Sequence, residues 1–284
     1  MTHRDYSQCH QIRSGVPQGS VLGPLLYLIY TADLPTTTKT KVATFVDDTA
    51  ILATSNDPII ASENLQQHLN LLQHWFHNWQ ININQNKSVH ITFTTRRIVC
   101  PQVSINNIPI PVKNEVKYLG LHLDQKLTWH KHIKTKRQQI NLKLKEMSWL
   151  LGQKSKLSMN NKLLLYKCII KPIWTYGIQL RGCAKPSRTK IIQRIQSKIL
   201  RAVADAPWYV SNLTLHNDLQ TPFVSDEIRR LSRLYSARLD GHSNKLIAAL
   251  NTPPKVPRRL KGQWPTDLHE TAEDTANNIN HLQD

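Results

Sequence analysis

The chain has 284 residues, enough to bury a core in roughly one to three domains, with ordinary hydrophobic content and no excess of Gly or Pro. That excludes a disordered, collagenous or disulfide-stapled chain. The formal net charge is +18, and residues 125–201 account for all of it, with 19 Lys/Arg against one acid, Glu146. Such clustering points to a polyanion partner, and to nucleic acid before a membrane surface, because no basic amphipathic anchor stands out. The four cysteines, Cys9, Cys100, Cys168 and Cys183, form no C-x-x-C pair, which fits reduced thiols in an intracellular protein. Residues 1–11 are polar, so no signal peptide is expected. The longest apolar run, 21–30, is too short to span a bilayer and contains Pro24, so no membrane contact is expected.

Taken in chain order, residues 12–19 (IRSGVPQG) read as a loop, and Gly23-Pro24 opens a run, LLYLIYTADL, that reads as a buried helix. Residues 36–40 are a polar turn. Residues 42–53 read as a hairpin around Asp47-Asp48, because apolar residues flank that pair on both sides. After a loop marked by Asn56, Asp57 and Pro58, residues 62–79 show the spacing of an amphipathic helix, with Leu65, Leu69, Leu72, Phe76 and Trp79 on one face. Short strands are expected at 89–94, 103–105 and 118–123, separated by Pro101, Pro109 and Pro111.

From residue 128 the pattern turns helical and basic. Ile133, Ile140, Leu144, Met147 and Leu151 line one expected face, and further helices are expected at 160–170, before Pro172, and at 188–203 and 226–238. In the helix expected at 188–203, Ile191, Ile192, Ile195, Ile199 and Val203 face inward. Residues 251–265 are Pro-rich and read as a linker, and the acidic tail beyond them reads as loosely attached. The expected class is α+β: a small antiparallel sheet with helices, followed by a mostly α-helical module.

The informative chemistry is the Asp47-Asp48 pair. Adjacent carboxylates at a tight turn repel, and in an enzyme a divalent metal commonly offsets the repulsion. The plain alternative is a solvated turn, since Asp tolerates hairpin dihedrals. Strict alternation would put Ala43, Phe45 and Asp47 on one face and Thr44, Val46 and Asp48 on the other. His68, His74 and His77, with His130 and His132 elsewhere, lack the Cys or acid partners that a zinc site favours. Trp75, Phe76 and Trp79 at helical spacing read as core rather than as a base-stacking platform.

The string SGVPQGSVLGPLL (14–26), followed downstream by Phe45-Val46-Asp47-Asp48, resembles a reverse transcriptase palm, in particular that of the non-LTR (LINE-type, jockey-like) retrotransposon polymerases. NQNKSVHITF (84–93) is similar to the family's Asn-x-x-Lys segment, and VKYLGLHLD (116–124) to its primer-grip hairpin. The resemblance implies a partial palm over 1–124, a basic thumb or connection region over 125–250, and a linker with an acidic tail over 251–284. It further implies template-directed nucleotide transfer with two Mg²⁺ ions, Asp47 binding metal directly and Asp48 beside it. Pro17, Gln18, Gly19 and Phe45 would line the nucleotide and template side. Lys87 would neutralise or protonate the leaving pyrophosphate, its alternative being a solvated surface lysine. Tyr118, Leu119 and Gly120 would support the primer end. The implied partners are an RNA template, a DNA primer and dNTPs; the implied location is intracellular, in a cytoplasmic ribonucleoprotein and the nucleus. Two departures stand out. The family's third carboxylate lies upstream of the Pro-Gln-Gly loop, where this chain has only Asp5, and residue 46 is Val where relatives often have Ala. The expectation is therefore an incomplete polymerase, half a palm and a thumb without fingers; the alternative is a catalytically dead nucleic-acid-binding remnant.

Overall fold

The computed structural model describes residues 15–16, 19–152, 154–251 and 265–268. The chain packs as two units, Met1–Asn114 and Glu115–Asp284.

In the first unit, α1 (Gly23–Tyr30) carries Pro24 in its first turn, where a missing N–H breaks no helical bond. The expectation that this helix is buried is corrected: no residue of α1 is buried, and Leu25, Leu28 and Ile29 are more than half exposed. Continuous apolarity marks a surface suited to being covered, but nothing among the described residues covers it. The helix is held at its end by Tyr30, which meets Trp79 edge-on at 4.6 Å and donates its hydroxyl to the Trp79 carbonyl at 2.5 Å.

Strands β1 (Thr40–Phe45) and β2 (Asp48–Ala53) form an antiparallel hairpin, followed by α2 (Pro58–Asn78). That helix starts earlier than its periodicity shows. Asp57 is its N-cap, accepting the Ile59 N–H at 2.8 Å, and Pro58 is its first residue, so the apparent loop is a start signal. Leu69, Leu72 and Trp75 are buried on its inner face. The His68 ring is satisfied structurally: Nε2 donates to the Pro35 carbonyl at 3.0 Å, leaving Nδ1 to accept from the Thr40 hydroxyl.

The next hairpin, β3 (Ser104–Ile105) with β4 (Ile108–Pro109), turns through Asn106-Asn107, both at positive φ as a type I′ turn requires. The Gln66 amide grips Ser104 through both backbone groups, at 2.8 and 3.0 Å, and Val103, Ile105 and Ile110 join Leu69 in the core. The expected strand at 89–94 does not form; its only pairing is a single parallel bridge between His90 and Val112. Pro111 supplies a carbonyl to His90 but has no N–H with which to extend the ladder.

The second unit begins with a hairpin, β5 (Glu115–Tyr118) and β6 (Leu121–Asp124), as the resemblance over 116–124 implies, whereas the residue pattern alone suggests one strand over 118–123. The chain reverses at Leu119-Gly120. Helices follow: α3 (His130–Glu146), α4 (Ser148–Leu151), α5 (Met159–Leu165), then a wide π turn (Tyr166–Ile170) and α6 (Lys171–Thr175). The expected stop before Pro172 is not observed. Pro172 has no N–H for a normal helical bond, and the wide turn before it re-spaces the ladder so that the helix continues. The remaining helices are α7 (Ile178–Arg181), α8 (Pro186–Val203), α9 (Asn212–Asp218), α10 (Val224–Asp240) and α11 (Lys245–Ala248).

Ile133, Ile140, Met147 and Leu151 are buried with Ile192, Ile195, Ile199 and Val203, as their spacing implies, around Tyr166, Ile170 and Trp174. Leu268 belongs to the same core, so residues 265–268 are docked rather than loose. The rest of the expected linker and tail, 252–264 and 269–284, lies outside the described residues. The mixture of helices and antiparallel strands is α+β, but among the described residues the expected single small sheet is replaced by three separate two-stranded hairpins. Such ribbons need helical backing to be stable.

Candidate active site

The β1–β2 register pairs Phe45 with Asp48, which leaves Val46 and Asp47 as a two-residue turn. Directly paired residues share a face, so Asp48 lies with Phe45 and not with Thr44 and Val46. The expected alternation is corrected here because period two does not continue through a turn. The Phe45/Asp48 face is the open one, whereas Val42 and Ile51 on the other face are half-buried on the side toward α2.

Val46 has φ +53°, and only the first central residue of the turn is positive, as in a type II′ turn, where glycine is usual. It is the one β-branched residue among the described residues in this region of φ. Such a conformation costs about 1–3 kcal/mol and persists only when its surroundings impose it. One constraint is visible: the Tyr27 hydroxyl, on α1, donates to the Val46 carbonyl. The turn presents Asp47 and Asp48 at the tip of the hairpin, both exposed. Neither is in an ion pair, and no third His, Cys, Asp or Glu joins them among the described residues. Two unshared carboxylates at a fixed tip are hard oxygen donors suited to a divalent cation such as Mg²⁺.

Pro17 and Gln18 lie outside the described residues. Gly19 is at φ +83° and nothing lies within 4 Å of where its Cβ would be, so the glycine serves the turn rather than a close protein contact. Lys87 sits in a turn whose spacing has a local cause: its N–H donates to the Asn84 carbonyl at 3.1 Å and side-chain oxygen at 3.3 Å. Its side chain is exposed and pairs with neither Asp47 nor Asp48.

Tyr118, Leu119 and Gly120 are brought together by the β5–β6 hairpin in the second unit. Leu119 and Gly120 have φ +45° and +76°, the type I′ pattern. Tyr176, just after α6, clamps this turn by donating its hydroxyl to the Leu119 carbonyl at 2.6 Å, and a Cβ on Gly120 would lie 3.2 Å from its ring. The Lys136 ammonium stands 5.2 Å above the same ring. Burial first, then the Arg181 and Lys117 charges, lower its pKa. Neither Tyr176 nor Lys136 carries a sequence signal, because the contact spans long separations.

Several of the 19 cations in 125–201 make internal contacts. Lys162 is buried and donates to the Gly152 carbonyl at 2.9 Å, Arg181 is buried against Trp174, and Lys171 pairs at 2.8 Å with the buried Glu227. His132 is buried beneath β6 and accepts the His122 N–H at Nδ1, 3.3 Å away. Burial, then the charges of Lys136 and Arg181 and the neighbouring His122, lower its pKa to about 4, so it is neutral at pH 7.

No helix among the described residues is long and apolar enough to cross a membrane. Residues 3–123 match the family reverse transcriptase (RNA-dependent DNA polymerase). The chain is 42% identical over 271 residues to a probable RNA-directed DNA polymerase from transposon X-element of Drosophila melanogaster, covering 94% of this chain and 30% of the relative. It is 38% identical over 278 residues to the RNA-directed DNA polymerase from mobile element jockey of the same fly, covering 92% and 30%. The jockey polymerase of Drosophila funebris is 38% identical over 277 residues, with the same coverage, 92% and 30%. The chain thus spans about 30% of the length of these relatives. No solved structure matches the chain significantly. The Asp47-Asp48 hairpin thus lies inside the segment, 3–123, that matches the reverse transcriptase family, and the likeness to the mobile-element polymerases runs on through the helical unit.

Proposed function

We propose that the Asp47-Asp48 hairpin is the metal-holding part of an RNA-directed DNA polymerase site. In this reading residues 1–124 belong to its palm and 125–250 form a thumb-like nucleic-acid-binding module. The observation that carries the proposal is the tip itself: two exposed, unpaired carboxylates presented by a turn strained at Val46. The relatives' names support an RNA template, a DNA primer and dNTPs as partners.

Asp47 and Asp48 would hold divalent ions, Mg²⁺ by donor chemistry, which would acidify the primer 3′-hydroxyl and neutralise the triphosphate. Pro17, Gln18, Gly19 and the exposed Phe45 ring line the nucleotide and template side in this reading, and Lys87 offers a positive charge to the pyrophosphate. The turn Tyr118-Leu119-Gly120, fixed by Tyr176, positions the primer end. Two carboxylates supply too few ligands for two ions, so a third carboxylate from another segment of a longer polymerase completes the site. The second reading, nucleic-acid binding without catalysis, is favoured by the same shortage of ligands among the described residues.

The metal step is tested with Mn²⁺ as probe. Paramagnetic broadening in NMR spectra of this chain should centre on residues 45–49 and disappear in Asp47→Asn/Asp48→Asn. Broadening centred elsewhere, or unchanged by the double substitution, would refute the assignment.

A further inference from the structure

The segment after α8 is fixed by its own hydrogen bonds. Asp205 follows the helix at φ +49°, and the Ala206 N–H reaches back to the Arg201 carbonyl at 3.0 Å, the six-to-one bond of a Schellman ending. Next comes a turn closed by the Val210 N–H donating to the Pro207 carbonyl at 3.2 Å. The Arg201 guanidinium binds both ends of that turn, through Nη1 to the Pro207 carbonyl and through Nη2 to the Val210 carbonyl at 2.7 Å and the Asn212 side chain at 3.2 Å. Ser211 then caps α9 by accepting the Thr214 N–H at 3.0 Å.

Trp208 and Tyr209 are the two central residues of this braced turn. They are 88% and 72% exposed and meet edge-on at 6.0 Å. Large apolar rings normally turn toward the protein surface; here both stand clear of it on a frame pinned from either end. The turn follows directly from a helix with no acidic residue, α8, which exposes Lys190, Arg194 and Lys198. These lie four residues apart, on one helical face, about 6 Å of rise from one to the next.

We propose that Trp208 and Tyr209 form a stacking platform for the bases of an unpaired nucleic-acid strand whose phosphates are held along Lys190, Arg194 and Lys198. Aromatic faces beside a cationic track are the chemistry of sequence-tolerant single-strand binding. A protein partner is the less suited occupant, because anchoring aromatics in such interfaces sit within a desolvated ring of near-neutral contacts rather than beside a row of like charges. The inference goes beyond the polymerase reading and does not depend on metal at Asp47 or Asp48.

The test is fluorescence anisotropy with labelled single-stranded oligodeoxythymidylate and a blunt duplex of equal length, in EDTA so that the hairpin carboxylates contribute nothing. Trp208→Ala and Tyr209→Ala should each weaken single-strand binding about 5- to 150-fold, the range for one lost stacking contact, with duplex binding nearly unchanged. Trp208→Phe should keep most of the affinity. Lys198→Ala should reduce the slope of log affinity against log salt by about one, and Trp208→Ala should leave it unchanged. Both aromatics are exposed, so thermal melting should not move. Wild-type single-strand affinity in both alanine variants, or equal losses for single strand and duplex, would overturn the proposal. Unchanged nucleic-acid binding with lost self-association in sedimentation would assign the pair to a protein interface instead.

Discussion

At the scale of single residues, the decisive one is Val46. A β-branched side chain at φ +53° opposes the local preference of the chain, and the carbonyl of the same residue is held by Tyr27. Val46→Gly should remove strain of about 1–3 kcal/mol while adding about 0.5–1 kcal/mol of unfolded-state entropy, a net stabilisation of about 1 kcal/mol. A raised denaturant midpoint would verify this, and a lowered one would show that the Val46 side chain is held by contacts instead. His132 sets a pH dependence of opposite origin. Its folded pKa is lowered from 6.5 to about 4, chiefly by burial, with Lys136, Arg181 and His122 adding to it. The unfolded chain therefore binds the proton more readily, so this stabilisation is complete above pH 6.5 and is lost as pH falls toward about 4. His132→Gln should flatten that part of the stability curve; an unaltered curve would show that other groups control it.

At the scale of elements, sequence periodicity was informative wherever a helix has a clear inside. The buried isoleucines of α8 and the inner face of α3 follow directly from their spacing. It failed where burial depends on a neighbour remote in the chain. The run in α1 is as apolar as a core helix and yet exposed, and Tyr176 reaches Leu119 across 57 residues with no pattern to announce it. The hairpin carrying Asp47 and Asp48 was legible because short-range alternation and a turn are local; the sides on which the two carboxylates point were not, since the turn register decides them. The Trp208-Tyr209 pair escaped notice although Pro207 before it is a turn signal, because exposure is invisible in sequence. One contact between elements is open to a direct check. Glu227, on α10 and 1% exposed, pairs with Lys171 of α6 at 2.8 Å and Arg230 at 2.7 Å. Burial raises its pKa, but the Arg230 and Lys171 hydrogen bonds and charges outweigh burial and leave it lowered. Glu227→Ala should destabilise the chain by about 2–3 kcal/mol, discounted from the buried-pair range because Arg230 is half exposed. A loss below about 0.5 kcal/mol in urea unfolding would mean the pair is merely superficial.

At the scale of the whole molecule, two physical facts define the chain. One is a strained hairpin that carries unpaired carboxylates; the other is a helical unit whose excess of cations survives after Lys162, Lys171, Arg181 and Arg201 are engaged in internal contacts. The first suits divalent metal and the second suits phosphates, and a polymerase needs both. The most direct measurement is divalent-metal-dependent dNTP incorporation on a primed RNA, run with this chain and with this chain joined to the segment that precedes the matched region in its jockey relatives. The account predicts no extension by the chain as given, extension by the joined protein, and a loss of at least about 100-fold when Asp47→Asn is introduced there, because the charge that positions metal is gone. Extension by either protein that survives Asp47→Asn would contradict it.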